Sequence, residues 1–164
     1  MRLIPISSFR FLFLGCLFLL SGCTGVYEPG DSYKGDGYEA VVVSVDDDNQ
    51  PVIVMSLDEA STLSADSAMR WAEGKGEGWR LPDRSEMSMI DRVRSLINTT
   101  LERKGLPPVL KDATYYWSST PCSETHTYAC GPDGVGCYFS ENNSSSYRAR
   151  AVRKVNGNVP GEAE

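Results

Sequence analysis

The chain has 164 residues, which is enough for one modest domain. It carries 22 acidic and 16 basic residues, a formal net charge of −6, and loss of the two arginines of its N-terminal segment would leave 14 basic residues and a net charge of −8. A domain this acidic argues against charge-driven binding of nucleic acid or anionic headgroups.

Residues 1–22 predict a lipoprotein signal peptide. Arg2 and Arg10 supply its positive charge, and the apolar run over residues 11–20 is too short for a stable transmembrane helix. The run ends in Leu-Ser-Gly followed by Cys23, which resembles the lipobox of bacterial lipoproteins. The resemblance implies cleavage before Cys23, a diacylglycerol on its sulfur and an acylated amine. The alternative is an ordinary secretory peptide with an accidental cysteine.

Membrane attachment then depends on lipid rather than on charge. Three acyl chains are enough for stable anchoring. Because Thr24 rather than Asp follows the cysteine, the inner-membrane retention signal of some Gram-negative bacteria is missing, and attachment to the outer membrane is favoured. The exposed face, periplasmic or cell-surface, stays open.

The domain itself is predicted over residues 38–155, after a lipidated tether over 23–37 that is rich in Gly, Pro, Tyr and Asp. The β-branched segment 38–45 predicts a central strand and 51–57 its return strand. The acidic residues 46–49 between them admit a calcium site, but they lack the spacing of an EF-hand loop, so a solvated turn is favoured.

A strand-to-helix corner is predicted over residues 78–86. Pro82 ends the extended segment, and Asp83 and Glu86 form a capping-box pair at the start of a helix over 84–103. The apolar face of that helix is expected to be core, and its members are Met87, Ile90, Val93, Leu96, Ile97 and Leu101. Trp79 and Leu81 are expected to be buried, with Arg80 held by a neighbouring acid or carbonyl.

A second, short helix is predicted earlier in the chain, over residues 65–72. Ser64 is its expected N-cap and Trp71 is expected to be a core anchor rather than a ligand platform.

The last third is predicted to be β-rich, with strands over 115–120, 125–130, 135–140 and 147–153 and a flexible tail over 156–164. Cys130 and Cys137 flank a Pro-Asp-Gly turn and are the favoured disulfide candidates, which leaves Cys122 as a free thiol.

Three motifs follow one another along the chain: Gly78-Trp79-Arg80-Leu81-Pro82-Asp83 with Glu86, then Tyr116-Trp117-Ser118-Ser119-Thr120, then Tyr147-Arg148-Ala149-Arg150-Ala151-Val152-Arg153. Together they resemble an uncharacterised domain of bacterial surface lipoproteins that is also found at the C-terminus of bacterial collagen-like adhesins, and they are similar to the major-paralogous-domain proteins. The resemblance implies an α+β, C-type-lectin-like fold with two helices packed on a small twisted antiparallel β-sheet. The formylglycine-generating enzymes share this fold, but Met87 stands where their motif has Trp.

The sequence predicts a non-enzymatic protein without metal or cofactor. His126 is the single histidine, and Cys-His catalysis through Cys122 is disfavoured because a lone loop histidine is usually an exposed polar residue. Arg148, Arg150 and Arg153 could bind a carboxylate or sulfate. Arginines that alternate along a strand more often cover a sheet edge or pair with acids such as Asp83 and Glu86, and this interpretation is favoured.

The expected function is adhesin-like binding of a glycan or protein at the cell surface. The candidate ligand-binding residues are Glu124, His126, Tyr128, Asn142 and Asn143. A structural or assembly role in a fimbrial or envelope complex is the alternative, and an enzyme comes third.

Overall fold

The structure is a computed structural model and describes residues 25–35, 37–111, 113–132, 137–141 (backbone only) and 146–155. The predicted signal peptide, Cys23 and the tail over 156–164 lie outside these ranges.

Strands and helices alternate irregularly along the described chain. Their order is β1 (Ser32–Gly35), β2 (Tyr38–Val45), β3 (Pro51–Ser56), β4 (Ala60–Leu63), α1 (Ala65–Glu73), β5 (Trp79–Arg80), α2 (Arg84–Arg92), α3 (Arg94–Arg103), β6 (Tyr116–Pro121), β7 (His126–Cys130), β8 (Cys137–Glu141), β9 (Tyr147–Ala149) and β10 (Val152–Lys154).

The first sheet has the strand order β1-β2-β3-β10-β5, and all its pairs are antiparallel. The acidic segment between β2 and β3 is a turn, as predicted: the Asp46 carboxylate accepts the backbone N–H groups of Asp48 and Gln50, and Asn49 has a φ of 57°. Residues 32–35 were predicted to belong to the tether, but they form β1 and pair with β2. Four residues without a periodic pattern can still add a strand at the edge of a sheet.

The second sheet has the order β4-β9-β6-β7-β8. Strands β6 and β9 are parallel, with Tyr116 opposite Arg148, and the other pairs are antiparallel. Strand β4 was not predicted. The predicted final strand over 147–153 is in fact two strands, since the chain leaves the second sheet after Ala149 and enters the first at Val152.

Two apolar cores hold the layers together. Helices α2 and α3 cover one face of the first sheet, where Val41, Met55, Ile90 and Ile97 are buried. The second core joins α1 and both sheets around Val54, Trp79, Leu81, Trp117 and three alanines of α1, Ala65, Ala68 and Ala72. The small alanine side chains let α1 approach the sheets closely.

The α+β class is confirmed, but the expectation of two helices on one small sheet is wrong, because the described residues form three helices and two sheets. The predicted helix over 84–103 breaks at Val93, whose φ of −102° and ψ of 11° are not helical. The predicted helix α1 is confirmed, with the Ser64 side chain accepting from the Ser67 backbone N–H. Trp71 is only half-buried at the edge of the second core, where the Lys75 ammonium lies 4.3 Å from its ring centroid.

Candidate functional site

The three sequence motifs meet at one junction between the two sheets. Trp79 pairs with Arg153 and Arg80 with Val152 in the first sheet, and the Ser119 backbone N–H donates to the Pro82 carbonyl at 2.8 Å. Trp79 is 7% exposed and Leu81 1%, so the predicted burial of both is confirmed. Trp117 is fully buried, and its indole N–H donates to the Leu63 carbonyl at 2.7 Å. These motif residues are core, and they build the domain rather than contact a ligand.

Arg80 and Glu86 form a bidentate pair at this corner. The Arg80 Nη1 and Nη2 atoms each lie 2.6 Å from a Glu86 carboxylate oxygen, and Nη1 also donates to the Leu81 carbonyl at 3.1 Å. The hydrogen bond to Glu86 raises the pKa of the Arg80 guanidinium. The predicted capping box is confirmed as well, since Asp83 accepts from the Glu86 N–H while the Glu86 carboxylate accepts from the Asp83 N–H.

Glu59 organises a second polar network. Its carboxylate accepts from the Tyr116 hydroxyl at 2.8 Å and from Arg148 Nη1 at 2.6 Å, and it lies 3.4 Å from Arg150 Nη2. Burial, and then the hydrogen bond to Glu59, raise the pKa of Tyr116 to about 12. Arg148 and Arg150 therefore pair with an acid, which was one of the two expected alternatives. The acid is Glu59, in the loop between β3 and β4, rather than Asp83 or Glu86 of the corner.

Arg150 is a structural residue. Only 2% of it is exposed, and its guanidinium donates to the carbonyls of Ser56, Leu57 and Pro107. Its Nε atom is buried without a hydrogen-bond partner. A guanidinium enclosed by carbonyls in this way is not available to an external anion.

Three of the five predicted ligand-binding residues lie in β7 and in the loop before it. Glu124 is exposed in the loop before β7, and the His126 Nδ1 atom lies 2.9 Å from Thr125 Oγ1. Tyr128 is half-buried with the Arg84 guanidinium carbon 4.5 Å from its ring centroid. We refer to Arg84, Glu124, His126 and Tyr128 as the hairpin surface. Asn142 and Asn143 lie outside the described residues.

The side chains of two of the three cysteines in the domain are described. Cys122 is free and exposed, and its backbone N–H donates to the His126 carbonyl at 2.8 Å. Cys130 is disulfide-bonded, and its register partner across β7 and β8 is Cys137. The side chain of Cys137 is not among those described, so the identity of the bridge stays a prediction that this register favours.

A chain of aromatic contacts crosses the first sheet on the face that also carries the second core. The ring centroids of Tyr27 and Tyr33 are 5.9 Å apart, those of Tyr33 and Tyr38 5.9 Å, and those of Tyr38 and Trp79 5.3 Å with an edge-on geometry. The three tyrosines are half-buried, so each presents part of its ring to solvent. We call these four residues the aromatic row.

A cation adjoins this row. The Arg153 guanidinium carbon lies 5.0 Å from the Tyr38 ring centroid, and the side chain is partly exposed. Among the described residues Arg153 has no ion pair or hydrogen bond through its side chain, in contrast with Arg148 and Arg150, which both pair with Glu59. The row therefore combines partly exposed aromatic rings with a guanidinium that has no acidic partner in the described part of the chain.

Sequence reasoning missed the aromatic row because two of its members lie in residues assigned to the tether. The signal that could have found it is the tyrosine content of that segment, with Tyr27 and Tyr33 shortly before Tyr38 at the start of the first predicted strand. Pairing of β1 with β2 is what brings the rings together.

Within the ranges that the structure covers, no group of three or more His, Cys, Asp or Glu side chains could hold a metal ion. None of the helices in those ranges is long and apolar enough to cross a membrane. No protein-family model matches the chain, and a search of curated proteins finds no significant match.

Proposed function

We propose that the protein is a lipid-anchored envelope protein whose non-catalytic, C-type-lectin-like domain binds a glycan or protein ligand at the cell surface. The anchor is Cys23, and the membrane is the outer membrane. The observation that carries the binding role is the aromatic row with Arg153 beside it. Partly exposed aromatic rings stack on the apolar faces of sugars and also anchor protein interfaces.

The fold assignment within this proposal is supported by the arrangement of strands. The first and last described strands, β1 and β10, belong to one sheet, with β2 and β3 between them. The three motifs that carry the resemblance meet at one junction through the pairs Trp79–Arg153, Arg80–Val152 and Tyr116–Arg148. The resemblance implies one domain that contains all three motifs, and their meeting at one junction supports it.

A glycan array with the soluble domain, run with calcium and with a chelator, tests the binding role. We expect binding that does not require calcium. Tyr33→Ala should weaken it by roughly two- to twelve-fold, since a stacked aromatic contact is worth roughly 0.5–1.5 kcal/mol. The matched control is Tyr128→Ala on the hairpin surface, which also removes a half-buried tyrosine from a strand of a sheet and should leave binding unchanged.

The reverse pattern, loss of binding in Tyr128→Ala alone, would place the ligand on the hairpin surface and exclude the aromatic row. Absence of any glycan ligand, together with co-purification of other envelope proteins, would favour the structural or assembly role. Thermal unfolding of both variants checks that neither result comes from misfolding.

The anchor is tested separately by metabolic labelling with a radioactive fatty acid and by membrane fractionation. Label should follow the protein into outer-membrane fractions and be lost in Cys23→Ser. Incorporation of label into the Cys23→Ser protein would contradict the assignment.

A further inference from the structure

The segment next to the proposed anchor is held against the domain almost from its first residue. The Tyr27 backbone N–H donates to the Asn49 carbonyl at 3.0 Å, at the turn between β2 and β3. Further on, the Gly30 N–H donates to the Val42 carbonyl at 2.8 Å, and the Gly30 carbonyl accepts from the Thr100 hydroxyl at 2.6 Å. Residues 27–35 thus run alongside β2 from one of its ends to the other.

The covalent distance from the anchor to this docked segment is short. Four Cα–Cα steps separate Cys23 from Tyr27, and at about 3.5 Å per step they span at most about 14 Å. Strand β2 is longer than this tether: its seven steps from Val45 to Tyr38 cover about 23 Å. The tether therefore keeps the Val45 end of β2 near the membrane and is too short to let the Tyr38 end turn towards it.

From this geometry we infer that the lipid-anchored protein has a restricted orientation on the bilayer surface. The turn over residues 46–49 stays close to the headgroups, and the end that carries Gly35 and Tyr38 cannot turn towards them. The inference rests on the proposed lipidation of Cys23. Val26 lies between the anchor and the docked segment. It is 72% exposed and so is not packed in the core, and its side chain can contact the headgroup layer.

The orientation has a consequence for ligand access. The aromatic row begins with Tyr27 at the anchored end and continues through Tyr33 to Tyr38 at the far end of β2, beside Arg153. The Tyr38 end of the row is therefore presented to ligands from outside, while Tyr27 is shielded by the membrane.

The test uses the full-length, lipidated protein reconstituted in phosphatidylcholine vesicles. A zwitterionic lipid is chosen because the exposed acids of the turn, Asp46, Asp47 and Asp48, would be repelled by an anionic surface. A fluorophore is attached to Asp48→Cys in one variant and to Lys34→Cys in another, both in a Cys122→Ser background. Both sites are exposed, and they lie at opposite ends of β2.

A spin-labelled headgroup lipid then quenches fluorophores that lie close to the bilayer surface. We expect several-fold stronger quenching at position 48 than at position 34. A twelve-residue Gly-Ser insertion between Thr24 and Gly25 adds a root-mean-square reach of about 19 Å and should abolish the difference.

Equal or reversed quenching in a protein whose N-terminal peptide is acylated would overturn the orientation and leave the anchor intact. An unacylated Cys23, found by mass spectrometry of the same sample, would overturn the anchor and the orientation together.

Discussion

The Arg80–Glu86 pair makes a quantitative prediction about the strand-to-helix corner, because its two charges are buried to different extents. The Glu86 side chain is 4% exposed and the Arg80 side chain 37%. The Glu86 carboxylate accepts two bonds of 2.6 Å from Arg80 and one of 2.9 Å from the Asp83 N–H. Arg80→Met removes two of these three bonds and leaves a buried carboxylate with one backbone donor.

Removing one partner of a buried ion pair costs about 3–5 kcal/mol. The remaining Asp83 N–H and the partial exposure of Arg80 place Arg80→Met near the lower limit, at about 3 kcal/mol. Glu86→Gln should cost only about 1 kcal/mol. Water reaches the guanidinium that this variant leaves unpaired, and the amide oxygen can still accept from the Asp83 N–H. The expected difference between the two variants is therefore about 2 kcal/mol.

Urea unfolding at pH 7 measures both free energies, with Lys111→Met as the control. Lys111 and Glu102 are 3.9 Å apart and more than half exposed, so loss of that pair should cost less than about 1 kcal/mol. Equal costs for the two variants would refute the reasoning.

Three further predictions concern other parts of the fold. The folded-state pKa of Tyr116 is about 12 against 10.0 in the unfolded chain, so the neutral hydroxyl stabilises the fold below pH 10 and this contribution is lost as the pH rises towards 12. The unfolding free energy of the wild type should fall more steeply over that range than that of Tyr116→Phe, by up to about 2–3 kcal/mol, and parallel curves would contradict the assignment. Gly30→Ala should destabilise the domain by at least 1 kcal/mol more than Gly37→Ala in thermal unfolding. Both glycines have a positive φ. A Cβ at Gly30 would lie 2.7 Å from the Leu96 Cβ, whereas a Cβ at Gly37 would meet no atom within 4 Å. Cys130→Ser should lower the urea-unfolding free energy by about 2–3 kcal/mol while Cys122→Ser leaves it unchanged, and the opposite order would exclude the assigned division of the cysteines.

The strand-to-helix corner was predictable from sequence because its causes are local. Pro82 restricts its own φ and that of its neighbour, and Asp83 and Glu86 are three residues apart, the spacing at which each side chain reaches the other's backbone N–H. Central strand β2 has the predicted bounds for a similar reason, since its run of β-branched residues is buried on both faces.

The prediction that Leu96 belongs to the buried face of the helix was wrong, although the helical periodicity of the sequence already indicated otherwise. At about 100° per residue, Leu96 lies roughly 180° around a continuous helix from Met87, so it could not share the same face. The structure leaves it 51% exposed, while Ile97 and Leu101 are buried. The break of the helix at Val93 could not be predicted from periodicity. The neighbouring Arg94 side chain donates to the Pro132 carbonyl at 2.8 Å, and Pro132 lies 38 residues further along the chain.

The sequence did not predict that the final strand is divided in two, because the division depends on tertiary contacts. Four consecutive residues, Ala149 to Val152, are buried, which alternation in a single sheet does not predict. They are buried because the chain passes from one sheet to the other there. Arg150 can be tolerated at the crossing because its guanidinium is enclosed by three carbonyls from the β3–β4 region and from Pro107, and no local pattern contains them.

This crossing gives two arginines of one motif opposite roles. Arg150 is 2% exposed and bonded to the backbone of distant segments, so any substitution there changes stability first, and a loss of binding in such a variant would say nothing about a ligand. Arg153, three residues later, lies in the first sheet with its guanidinium on the Tyr38 ring and without an acidic partner in the part of the chain that the structure describes. A loss of binding in Arg153→Gln with unchanged unfolding would therefore point to the aromatic row itself. The motif thus contains one arginine that is enclosed by backbone carbonyls and one that stays partly exposed on the Tyr38 ring.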